Sequence, residues 1–71
     1  MIAIKVGPGG GRLRLRNTCG LRPSFADLAR RDGDERRVIL GPGQTKDVQV
    51  GPGMLFVTCP PAVVHDYACN A

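Results

Sequence analysis

The sequence predicts a mainly β protein, a small β-barrel or β-sandwich of about five to six strands with one short helix, in a single domain spanning residues 1–71. Three observations carry that expectation. Apolar and polar residues alternate with period two in several short runs, most strictly in GRLRLRN. Three Gly-Pro-Gly triplets, at residues 7–9, 41–43 and 51–53, separate such runs. A chain of 71 residues buries only roughly 60% of its unfolded surface, so its core is marginal without a disulfide, a metal or a partner.

The first element is Met1–Val6, where Ile2, Ile4 and Val6 fall on one face and Ala3 and Lys5 on the other. After GPGGG comes RLRLRN, with Leu13 and Leu15 pointing one way and Arg12, Arg14 and Arg16 the other. Successive strand side chains leave opposite faces, so this is a half-buried strand. A glycine-rich loop between the two runs predicts a β-hairpin.

Residues 24–31 carry the cap pattern of a helix. Ser24 suits the N-cap, Asp27 the positive helix end, Arg30 and Arg31 the last turn, and Gly33 a left-handed C-terminal cap. Phe25, Leu28 and Ala29 share one helical face, which predicts about two turns packed on the sheet. From Arg36 the chain returns to strands. RRVIL, TKDVQV and MLFVTC predict a three-stranded meander, with Met54–Cys59 apolar on both faces. Pro60 and Pro61 stop that run, and Ala62–Tyr67 reads as a final edge strand or a docking tail.

The Gly-Pro-Gly triplets read as turns. A P-loop needs a longer glycine pattern ending in Lys-Ser/Thr and leading from a strand into a helix, and none of the three has it. Proline fixes one backbone dihedral, and glycine supplies the positive φ of a tight turn.

Charge and chemistry narrow the function. The net charge of +4 is uneven: all ten Lys and Arg precede residue 47, which leaves the C-terminal part acidic. The stripe Arg12, Arg14 and Arg16 suits an acidic protein surface or, as a rival, nucleic acid. A groove for single strands usually adds stacking aromatics, and Phe25, Phe56 and Tyr67 do not interleave with the arginines. Cys19, Cys59 and Cys69 include no CxxC pair, so no zinc site is expected, and a Cys59–Cys69 bridge stays open. His65 and Asp66 are adjacent and point to opposite faces of a strand, which denies them a dyad. Asp32, Asp34 and Glu35 lack the spacing of a calcium loop. No catalytic residue, cofactor or metal is expected, and the chain reads as no enzyme. MIAIKV lacks the basic and long apolar regions of a signal peptide, so synthesis in the cytoplasm is expected. No run approaches the roughly 20 apolar residues of a membrane helix, and no membrane partner is expected.

The segment RRVILGPGQTKDVQVGPGMLFVTCP resembles the small β-modules that decorate or cement bacteriophage capsids. The resemblance covers about a third of the chain and lies in texture: an apolar hairpin ending in Pro-Gly turns. It implies a non-enzymatic virion accessory subunit, made in the host cytoplasm, that assembles as a homo-oligomer on a capsid lattice, with a trimer as the expected stoichiometry. The extra helix, the arginine-rich strand and the three cysteines depart from the pattern and leave the tail or head–tail junction equally open as locations. The MLFV run supports association independently, because Met54 and Phe56 lie on one strand face and Leu55 and Val57 on the other. One of these faces, with Leu55 and Val57 as the proposed contacts, is expected at the subunit interface. The alternative classes are a small basic nucleic-acid-binding barrel and a small inhibitor docking on a host protein.

Overall fold

The computed structural model describes residues 1–70. Seven strands follow in chain order: β1 (Ile2–Val6), β2 (Gly11–Asn17), β3 (Ser24–Arg30), β4 (Glu35–Leu40), β5 (Thr45–Val50), β6 (Gly53–Thr58) and β7 (Val63–Cys69). They form two antiparallel sheets, one of four strands in the order β1-β6-β3-β4 and one of three in the order β5-β2-β7. Neither sheet closes, so the molecule is mainly β without being a barrel.

The core lies between the sheets and follows the period-two alternation. Leu13 and Leu15 of β2 are fully buried, and Val48, Val50 and Val63 join them from β5 and β7. The four-stranded sheet answers with Val6, Ala26, Leu28, Val38, Leu40, Leu55 and Val57. Its register brings Leu28 opposite Val57, and Ile4 opposite Leu55. Each fully buried Leu or Val contributes about 1.5–3 kcal/mol relative to exposure, and small branched side chains suit this thin interior.

Three predicted features are corrected. The helix expected over residues 24–31 is β3, the strand paired on one side with β4 and on the other with β6. Ala26 and Leu28 alternate inward, whereas Phe25, Asp27 and Ala29 lie on the outer face. Two helical turns gain few hydrogen bonds for a costly nucleus, and sheet pairing on both sides supplies more. The β1–β2 hairpin and the three-stranded meander are also absent. β1 pairs with β6, β2 with β5 and β7, and β4 with β3.

The turn chemistry explains this. Five of the six connections carry the chain from one sheet to the other, including all three Gly-Pro-Gly triplets. In the corner at residues 41–44, Gln44 N–H donates to Gly41 O at 3.0 Å and Gly43 has φ 68°. Proline ahead of a positive-φ glycine makes a type II turn, whose twist splays the strands it joins. The triplet at 41–43 makes that turn, Gly10 N–H closes one onto Gly7 O at 2.9 Å with the positive φ at Gly10, and all three triplets lie at corners between the sheets. The one hairpin, β3–β4, uses Arg31-Asp32-Gly33, with Arg30 N–H bonded to Asp34 O at 2.8 Å and Gly33 at φ 91°. That is the three-residue hairpin geometry with glycine in the left-handed position.

Candidate functional site

Two outer sheet faces and one sheet edge are the surfaces this fold offers. On the three-stranded sheet, Arg12, Arg14 and Arg16 are all exposed, as the alternation predicts. They do not form an open cationic row. Arg14 sits between Asp47 of β5 and Asp66 of β7, its partners in register. Its Nε donates to Asp47 Oδ1 at 2.8 Å and a second guanidinium nitrogen to Oδ2 at 3.2 Å. This two-pronged hydrogen bond holds the Asp47 carboxyl below the usual carboxylate range and raises the Arg14 guanidinium. Arg12 and Arg16 remain, about 13–14 Å apart at the strand rise. Three arginines against two aspartates leave this face at net +1.

The outer face of the four-stranded sheet is more apolar. Met54 and Phe56 are half-buried there, beside Ala3 and Ala29, and Ile39 stands 54% exposed. Arg37 lies over the Phe25 ring at 4.2 Å and forks onto Asp27, at 2.8 and 3.0 Å. The fork lowers the Asp27 carboxyl and raises Arg37. A shallow cleft of about 490 Å³, lined by Asp27, Ala29, Arg37, Phe56 and Thr58 among others, opens on this face.

Leu55 and Val57, the expected interface pair, are each only 2% exposed and face the second sheet. One copy already covers them. The uncovered side of that strand is the Met54–Phe56 side, and the assignment shifts accordingly.

Sequence reasoning passed over Asn17 and Lys46 and placed Arg30 in a helix, yet all three position these surfaces. Asn17 is fully buried, its Nδ2 donating to Arg22 O at 2.8 Å and Gly41 O at 3.1 Å while Oδ1 accepts from Cys19 N–H at 3.0 Å. It ties the loop after β2 to the corner before β5. Its signal was its place on the inward parity of Leu13 and Leu15. Arg30 donates to Gly51 O at 2.8 Å and clamps the corner between β5 and β6. Lys46 donates to Ile39 O at 2.6 Å, on the outer edge of β4. The Arg30 contact spans 21 residues and the Lys46 contact crosses from one sheet to the other, so neither left a local pattern.

Cys19, Cys59 and Cys69 are free thiols, and Cys59 donates weakly to Val63 O at 3.5 Å. His65 is exposed on β7. Among the described residues no three His, Cys, Asp or Glu side chains gather as metal ligands would. Comparison with family models, with curated proteins and with solved structures finds no match.

Proposed function

We propose that this chain is a non-enzymatic assembly module, a virion accessory subunit of the capsid-decorating kind that works as a homo-oligomer. The observation that supports it best is the outer face of the four-stranded sheet. There Phe25, Ile39, Met54 and Phe56 present apolar surface that the chain's own core does not need. Apolar surface of this kind on a small domain marks a protein contact. A two-sheet domain of 71 residues also gains a large share of its stability from what it binds.

The second contact of this reading is the basic stripe. Arg12 and Arg16 are free to pair with two carboxylates of an acidic protein surface, while Arg14 is engaged by Asp47. Continuous nucleic acid fits less well, because a strand laid along β2 would place its middle phosphates beside Asp47 and Asp66. The test is the mass of the chain in solution, with Phe56→Asp as the comparison. Association in the parent and loss of it in the variant support the reading. A parent that stays monomeric overturns it.

A further inference from the structure

We infer that the β7 edge pairs with the β7 edge of a second copy, antiparallel, joining two three-stranded sheets into one of six strands. The inference rests on the homo-oligomer reading above and names one of its contacts.

The four sheet edges are unequal. β4 carries Glu35, Arg36 and Arg37, and Lys46 occupies its Ile39 carbonyl. β1 carries Lys5, and β5 carries Lys46 and Asp47. Charged side chains, lysine above all, protect strand edges against further pairing. β7, with VVHDYAC, has no Lys, Arg or Pro, equals the longest strands, and is exposed at Val64, His65, Asp66, Ala68 and Cys69.

Its free backbone groups follow from parity. Thr18 N–H donates to Ala62 O and Asn70 N–H to Gly10 O, so even-numbered residues make the β2–β7 ladder. The N–H and C=O groups of His65, Tyr67 and Cys69 therefore point away from β2, and no partner meets them among the described residues. Strand addition uses groups of this kind.

Charge selects the register. In a two-fold antiparallel pair, opposite residues share a face, so the axis passes through a residue. An axis at Asp66 sets two carboxylates directly opposite, which is destabilising. An axis at His65 requires the Val63 N–H, already bonded to Pro60 O at 3.0 Å. An axis at Tyr67 engages all three outward residues. It places Asp66 opposite Ala68 of the second copy, with that copy's Arg12 one strand beyond. Such a contact is isologous and gives an even stoichiometry, in place of the three-fold expectation.

Sedimentation equilibrium and amide exchange test it. In His65→Pro an outward N–H is lost that β2 does not use, and proline is tolerated at such edge positions. The expected result is a folded variant whose dissociation constant rises about tenfold or more. Ala68→Asp, an exposed change, sets two carboxylates opposite each other in this register. It is expected to weaken association as well, and it decides the matter if His65→Pro fails to fold. In the associated parent the amides of His65, Tyr67 and Cys69 exchange slowly while Thr45, Asp47 and Gln49, outward on β5, are unchanged. A parent that associates with none of these effects overturns the edge pairing and leaves the homo-oligomer standing. A monomeric parent overturns both.

Discussion

Asn17 anchors two loop segments through its side-chain amide. It is the one fully buried polar residue among those described, and its side chain bonds both the loop after β2 and the corner before β5. Replacing it by alanine leaves Arg22 O and Cys19 N–H without their partner, while Gly41 O keeps the Gln44 N–H. Each unsatisfied group costs about 1–3 kcal/mol to the extent that water does not reach it. Asn17→Ala is expected to lower unfolding free energy by about 2–4 kcal/mol in a urea titration. A loss below measurement error would show that water replaces the amide. Tyr67 makes the opposite case. Its hydroxyl is buried without a partner among the described residues, and its ring lies so close over Gly11 that a Cβ there would sit 2.5 Å from a ring carbon. Tyr67→Phe removes an unpaired hydroxyl, so stability is expected to hold or rise, whereas Gly11→Ala is expected to destabilise by pushing the ring out. A destabilised Tyr67→Phe would reveal a hydrogen bond from the phenol.

The two arginine forks give a pH dependence whose sign is fixed. Asp27 and Asp47 have lowered folded-state pKa values because Arg37 and Arg14 hydrogen-bond their charged forms. Their contribution is present above the unfolded carboxylate pKa, near 3.9, and is lost as pH falls through the lower folded values. Both pairs are exposed, so the effect on stability is small. Carbon-detected titration is expected to place these two carboxyls below the usual carboxylate range. Ordinary values for both would mean that the forks do not persist in solution.

At the scale of elements, the alternation in β2 was legible residue by residue. RLRLR put leucines inward and arginines outward, and the strand does so without a bulge. The runs that became β1 and β5 were legible for the same reason, and those that became β4 and β6 as short apolar runs bounded by turn signals. The helix was misread because caps and strand ends use the same residues. Ser24 begins a strand, and Gly33 serves a hairpin. Which sheet each strand joins was not legible from polarity, since pairing is a long-range choice. The clue was turn type: Asp-Gly closes the one hairpin, and Gly-Pro-Gly sends the chain across to the other sheet. Gly33→Ala tests the hairpin assignment. No atom crowds a Cβ there, so strain at φ 91° is its only cost, about 1–2 kcal/mol. An unchanged melting midpoint would contradict that geometry.

For the whole molecule, the division of labour between the two sheets explains why the candidate surfaces were only half legible. The arginine stripe was visible as charge on alternate residues, but Asp47 and Asp66 reach it from β5 and β7 and reduce it to two free guanidinia. The apolar strand was visible too, yet only the sandwich decides that Leu55 and Val57 are the inward pair. If Arg12 and Arg16 meet an acidic partner, their double replacement by serine should weaken binding to an acidic protein surface more than Arg14→Ser does. Equal effects would count against the two-point contact. The central claim, that this domain associates through surfaces its core leaves uncovered, is tested most directly by sedimentation velocity of the parent chain across a wide concentration range. The account predicts a folded oligomer at low micromolar concentration, dissociating on dilution. A chain that remains a fully folded monomer throughout would contradict it.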